Sequence, residues 1–195
     1  IGDVVFTTPA IHAVRTHFPD AHLAYLVEPV AAAVVANNPH LSQVIVAPRR
    51  QGLTGTWADL GLGRRLRRER FDLVLDFHGG PRASLLSWLS AAPRRIGYEV
   101  KGRQWMYTDV VARPRELRAR HSVENQWDLL APLGIAPPTP QEFPVEMVTT
   151  ARARARVSQR LAATGVLETD RVIVMHVSAG NPFRRWPVSS FVAVA

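Results

Sequence analysis

The sequence contains no cysteine. A disulfide framework, a thiolate metal site and a cysteine nucleophile are therefore excluded. Lysine is nearly absent as well: Lys101 is the single one, and the rest of the 24 cationic side chains are arginine. No apolar run approaches the roughly 20 residues that cross a bilayer, and no charged-then-apolar leader opens the chain. The phosphate loop G-x-x-x-x-G-K-S/T does not occur. The first residue is Ile1 rather than methionine, and Ile1-Gly2-Asp3 reads like the end of a strand running into a loop. The last residues, Phe191 to Ala195, read like the middle of a helix. The chain is accordingly expected to be a fragment whose first strand and C-terminal portion lie outside it.

What is present is a globular composition. The 195 residues are 47% hydrophobic and 21% charged, with 24 Lys+Arg against 16 Asp+Glu and a net charge of +8. That balance excludes a disordered or low-complexity chain. The length fits one full domain and part of a second. Arginine grips phosphate and carboxylate in a bidentate manner. A basic surface favours an acidic partner: anionic lipid, polyanionic sugar or nucleic acid. The arginine runs 64–70, 113–120 and 152–156 interleave charge with Leu, Ala or Val, as on the wet side of amphipathic helices. His12, His17, His22 and His40 are scattered and read as structural or exposed, and the tryptophans form no regular stacking platform.

Short β-rich runs alternate with longer helical ones. Residues 21–27, 43–46, 71–77 and 171–177 are rich in Val, Ile and Leu and predict strands buried on both faces, as in a parallel sheet. Helices are predicted over 4–17, 29–37, 60–69, 82–89, 121–133 and 150–164. The alternation predicts βαβ units in a doubly wound α/β sheet. Five of the 15 prolines fall within 132–144, which predicts an extended linker. The expected domains are 1–145 and 146–195, the latter a helix and the beginning of a second βα unit.

Four segments carry candidate chemistry. Asp3 sits at the expected junction of strand and helix, where open α/β sheets bind ligands. It reads either as a helix cap or as a general base. His78, Gly79, Gly80 and Arg82 follow a strong strand, so close backbone approach and a helix N-terminus could meet an anion there. His121 and Glu124 share a helix face as a structural pair, because one His and one Glu make a poor metal site. Ser178, Gly180, Asn181 and Arg184 combine a hydroxyl, flexible backbone and a cation, as a phosphate cradle does.

In order along the chain, these segments resemble the ADP-heptose:lipopolysaccharide heptosyltransferases, the family-9 glycosyltransferases. The resemblance runs through Gly2-Asp3-Val4-Val5, Thr8-Pro9-Ala10, Phe18-Pro19, Ala21, Val27 and Asn38-Pro39. It continues through Asp72 to Asp76 with Gly79, Arg82 and Ser84, then Arg94-Arg95-Ile96-Gly97 and His121-Ser122-Val123-Glu124. It ends on Ala179-Gly180 with Arg184-Arg185-Trp186-Pro187. His78 departs from it, standing where many relatives carry Gln.

The resemblance implies a GT-B architecture of two Rossmann-like domains, with only the start of the second present. It implies an inverting, metal-independent transfer of heptose from ADP-heptose to the lipopolysaccharide inner core. Asp3 would be the catalytic base. Ser178, Gly180, Asn181 and Arg184 would hold the donor phosphates. Thr8, His78, Gly79, Arg82 and His121 would face the acceptor. No metal and no cofactor beyond the nucleotide-sugar substrate are expected, and no Asp-x-Asp metal-diphosphate motif occurs. The acceptor would be an acidic glycolipid, the location cytoplasmic with peripheral contact at the inner membrane face, and the fragment inactive alone. Competing readings are a GT-B enzyme using another nucleotide sugar, a basic nucleic-acid-binding module, and a non-catalytic Rossmann domain. The dispersal of the arginines over several helices speaks against nucleic acid, which is not expected as a partner.

Overall fold

A computed structural model describes residues 1–47, 52–112, 121–137, 142–167 and 169–195. The chain divides into two compact units, Ile1–Thr149 and Thr150–Ala195. The arginine run at 113–120 lies outside the described residues.

The first unit alternates strands and helices. Its strands are β1 (Ala24–Val27), β2 (Gln43–Val46), β3 (Leu73–Asp76), β4 (Arg94–Tyr98) and β5 (Asp109–Val111). Every pairing is parallel: Ala24 lies opposite Gln43, Leu73 opposite Arg94, and Ile96 opposite Asp109. The helices are α1 (Gly2–His17), α2 (Pro29–Val35), α3 (Gly52–Glu69), α4 (Pro81–Leu89) and α5 (Ser122–Trp127). The parallel α/β class follows. The single doubly wound sheet appears as two ladders, β1-β2 and β3-β4-β5. Among the described residues, no hydrogen-bonded pair joins β1 to β3.

The expected strand end at Ile1 is instead the start of α1. The amides of Val4 and Val5 donate to the Ile1 carbonyl at 3.0 and 3.1 Å, which is helical bonding. α1 also runs through Pro9. Proline has no N–H for the carbonyl four residues back, so Val5 should lose a bond. The Thr8 hydroxyl supplies it, donating to the Val5 carbonyl at 2.8 Å.

α1 buries Ala10, Ala13 and Val14 against Trp127, Leu130 and Ile135. A second cluster joins Ile45 of β2, Leu66 of α3 and Leu86 of α4. A third joins Ile96 and Tyr98 of β4 to Leu129. Gly97 of β4 is required by close approach. A Cβ there would meet Tyr107 ring carbons at 2.3–2.7 Å, a clash that no real contact sustains.

The proline-rich stretch is less of a free linker than its composition predicts. Asp128–Leu133 forms 3-10 turns that end on Gly134 at φ 77°. Ile135 enters the α1 core, and the Ala136 carbonyl accepts from Trp127 Nε1 at 2.7 Å. Phe143 packs on the Trp127 ring at 5.4 Å. Apolar partners thus hold the chain where proline alone would have left it extended. Residues 138–141 lie outside the described residues.

The second unit contains α6 (Ala151–Ala163) and α7 (Val188–Val194). Thr150 caps α6, its hydroxyl accepting from the Ala153 amide at 3.1 Å. No residue of α6 is buried. The strand expected over 171–177 does not form, and Ile173 and Val174 are 88% and 86% exposed. A strand is held by lateral hydrogen bonds and covered faces. No other strand is present among the described residues of this unit to provide them.

Candidate functional site

Asp3 lies in the first turn of α1 and is exposed. The helix starts two residues earlier than the capping reading requires. Ile1 occupies the cap position, and no side chain makes a cap bond. The carboxylate therefore stands at the positive end of the helix without that structural duty, where a negative charge is favoured. Its field reaches Tyr25, whose pKa is raised mainly by burial and further by Asp3, against a lowering bond to Thr7. The Tyr25 and Thr7 hydroxyl oxygens are 2.7 Å apart.

The turn after β3 is built around Asp76, which is 5% exposed. Its Oδ1 accepts from the amides of His78 (2.9 Å) and Gly79 (2.8 Å). Its Oδ2 accepts from the Tyr107 hydroxyl at 2.6 Å, which also lies 2.7 Å from Ser84 Oγ. Gly79 turns the chain at φ 66°, a conformation suited to glycine. The Gly79 carbonyl accepts from Arg103 at 3.1 Å. Gly79 is buried and its amide faces Asp76, whereas His78 is exposed on the outer side of the turn.

Burial and its bond to Asp76 hold the Tyr107 phenol protonated well above the ordinary tyrosine range. Its contribution to stability is fully present below the unfolded-state pKa near 10. It is lost as pH rises towards the folded value, because the unfolded chain gives up its proton first. Unfolding free energy is expected to fall by about 1.4 kcal/mol per pH unit above pH ~10 on this account. Tyr107→Phe should flatten that alkaline slope in urea titrations. An unchanged slope would refute the assignment.

Arg82 of α4 is held by its own fold. Its guanidinium pairs with Asp59 of α3 at 2.8 Å, and Nε donates to both carboxylate oxygens at 2.9 and 3.1 Å. Glu28 lies 3.6 Å away. Arg82, Asp59, Thr56 and Leu85 line an open groove of about 280 Å³. Thr8 is fully buried, and its hydroxyl also accepts from the Glu146 amide at 3.0 Å, so any role towards an acceptor would be indirect. His121 caps α5, its Nδ1 accepting from the Val123 amide at 3.3 Å. Its ring sits edge-on to Phe6 at 5.5 Å, which places it beside the first turns of α1. His121 and Asp3 are thus both anchored on that end of α1, while Arg82 faces α3.

In the second unit, Ser178, Gly180, Asn181 and Arg184 are exposed on one local loop. A 3-10 turn at Pro182–Arg184 is closed by the Arg184 amide donating to the Asn181 carbonyl at 3.0 Å. Arg185 Nε donates to the Ala179 carbonyl at 2.8 Å. The Arg184 guanidinium rests over the Phe183 ring at 5.7 Å, leaving its donors towards solvent. The loop presents a hydroxyl, backbone and a cation together, as an anion site requires.

Sequence reading missed Tyr107, Arg103 and Asp59. They reach the Asp76 turn and Arg82 from other elements, with no motif or spacing to link them.

Three comparisons bear on this arrangement. The model of glycosyltransferase family 9 (heptosyltransferase) matches residues 60–195. Lipopolysaccharide heptosyltransferase 3 of Escherichia coli K12 is 25% identical over 200 residues, covering 99% of this chain and 56% of that protein. A glycosyl transferase family 9 structure from Veillonella parvula DSM 2008 superposes with a TM-score of 0.85 at 22% identity, over 99% of this chain and 55% of that one. The ADP-heptose LPS heptosyltransferase II structure of E. coli gives a TM-score of 0.73 at 18% identity, over 97% and 56%. The chain spans about half the length of each of these relatives. Its fold is the α/β GT-B fold of that family.

Proposed function

The chain belongs to glycosyltransferase family 9, and from that premise we propose that the protein is an inverting, metal-independent transferase that moves heptose from ADP-heptose to the lipopolysaccharide inner core. The first unit, Ile1–Thr149, serves as the acceptor domain, and the second, Thr150–Ala195, opens the nucleotide-sugar domain. Asp3 takes the proton of an acceptor hydroxyl while that oxygen attacks the anomeric carbon. The bond from that carbon to the ADP oxygen breaks, and ADP departs with the bonding electrons. Arg184 faces the charge that develops on the leaving diphosphate, and fixed charge of this kind is usually the largest catalytic contribution. Ser178, Gly180 and Asn181 flank the same phosphates, and His121, His78, Gly79 and Arg82 shape the acceptor side.

The observation that carries the proposal is the family match over 60–195, which runs through both the Asp76 turn and the Arg184 loop. The acceptor is an acidic glycolipid presented at the cytoplasmic face of a membrane. α3 supports that placement: helical spacing puts exposed Leu53 and Trp57 on one face with exposed Arg64 and Arg68. Among the described residues, no helix is long and apolar enough to cross a membrane. The nucleic-acid reading loses support, because Arg15, Arg82, Arg94, Arg95 and Arg103 bond to carbonyls and carboxylates of their own fold.

The test is ADP release by the complete gene product with ADP-heptose and a heptose-deficient lipopolysaccharide, in EDTA. Acceptor-dependent release that survives EDTA is expected. Arg184→Ala should lower kcat by about 10²-fold. Release from a different nucleotide sugar alone would replace the heptose assignment, and wild-type turnover in the Arg184 variant would remove that residue from the donor site.

A further inference from the structure

Three side chains remote in sequence meet on the first unit. His12 comes from the middle of α1, His40 from the loop between α2 and β2, and Glu146 from the stretch after Pro144. One ligand atom from each lies within 4.8 Å of the other two. His12 Nδ1 is 3.5 Å from Glu146 Oε1, and His40 Nε2 is 2.9 Å from Glu146 Oε2. An ion bound tetrahedrally at about 2.0–2.1 Å holds its ligands about 3.3 Å apart. The two His–Glu146 distances, made to different carboxylate oxygens, fall either side of that value, and a modest contraction of the set, which spans at most 4.8 Å, would bring it there. The three side chains are partly buried, at 27%, 18% and 26% exposure. His12 Nδ1 itself is buried and, although 3.5 Å from Glu146 Oε1, makes no hydrogen bond.

We propose that His12, His40 and Glu146 form a site for a divalent transition-metal ion of the zinc class, completed by water, which fastens the chain around Glu146 to α1. Two imidazoles and one carboxylate are a donor set that suits zinc.

The backbone carrying two of the three side chains is held in place. The His40 amide donates to Asn38 Oδ1 at 2.9 Å, and its carbonyl accepts from Arg15 Nε at 3.1 Å. The Glu146 amide donates to the buried Thr8 hydroxyl at 3.0 Å. Phe143 closes edge-on over His12 at 5.0 Å. Burial, then the neighbouring His40, lowers the His12 pKa against the raising effect of Glu146. The two rings are stacked at 3.9 Å with 13° between their planes. One ion shared in both planes requires them to fan apart, a rotation about χ2, which is a soft torsion.

The experiment uses metal alone. The full chain, stripped with chelator, is titrated with Co²⁺ and then with Zn²⁺. One equivalent of Co²⁺ should give visible ligand-field bands that Zn²⁺ abolishes. Zn²⁺ should shift the imidazole nitrogen resonances of His12 and His40 and leave those of exposed His22. Glu146→Gln, which keeps the shape and an acceptor for His40, should lower Zn²⁺ affinity by ~100-fold or more. His22→Ala should bind as wild type. Absence of stoichiometric uptake, shifts confined to other histidines, or wild-type affinity in Glu146→Gln would each overturn the proposal. The resonance shifts on the unsubstituted chain decide the matter even if a variant fails to fold.

Discussion

Asp3→Asn is expected to lower kcat for acceptor-dependent ADP release by about 10³-fold, with KM for the nucleotide sugar little changed. The substitution keeps the side chain's size and removes only its ability to take a proton. The structure makes the experiment clean. Asp3 is exposed, and no side chain caps α1, so the amide disturbs no buried contact. Loss of a negative charge from the first helical turn costs about 0.3–1 kcal/mol. The thermal midpoint should therefore barely move while turnover collapses. If turnover in the Asn variant stays within tenfold of wild type, Asp3 is not the base, and its place in the helix is its only role.

The second large effect concerns stability. Asp76→Ala is expected to destabilise the first unit by about 3–5 kcal/mol. The carboxylate is the acceptor for two turn amides and for the Tyr107 phenol at once. Removing it leaves the buried Tyr107 hydroxyl with Ser84 Oγ as its remaining partner and unties the turn that carries His78 and Gly79. Each stranded buried group costs about 1–3 kcal/mol, less where water reaches the exposed side of the turn. Asp76→Asn keeps one acceptor oxygen and should cost roughly half as much. The midpoint of urea unfolding measures both. A loss under 1 kcal/mol in the Ala variant would mean the turn is held by its glycines and not by Asp76.

Much of this fold is written in local pattern, and the exceptions share a cause. Residues 43–46 form the strand that their apolar run predicts, and the caps of α6 fall on Thr150 and Thr164. β4 escaped notice because Arg94-Arg95 opens it. Those arginines are accommodated by tertiary partners: Arg94 by Asp109 and the Pro132 carbonyl, Arg95 by the Met106 carbonyl. The same holds for Asp109, whose pKa is lowered by the bonds from Arg94 and Thr108. The run 171–177 failed in the opposite way. Its composition is that of a buried strand, but composition supplies no neighbour to pair with. At the site, the turn bearing His78 lies between a strand and a helix as the alternation predicts, whereas Asp3 lies in a helix where a strand end is expected. The internal ion pairing of Arg82, the burial of Thr8 and the meeting of His12 with His40 could not be placed from the sequence, because each depends on contacts between distant elements.

The parallel ladders have a consequence for how the molecule comes into being. Each strand pairs with the one the chain supplies next: β1 with β2, β3 with β4, β4 with β5. Successive pieces can therefore settle while the polypeptide is still leaving the ribosome, since neighbouring segments close small loops first. Some fastenings come later: the bond from the Glu146 amide to Thr8 joins residues 138 positions apart, and α1 packs on Trp127 and Leu130, so the first helix is not fully seated until nearly the whole unit has been synthesised. That late closure sets the moment at which the N-terminal end of α1, with Asp3 on its first turn, stops belonging to a nascent chain and becomes part of a finished surface.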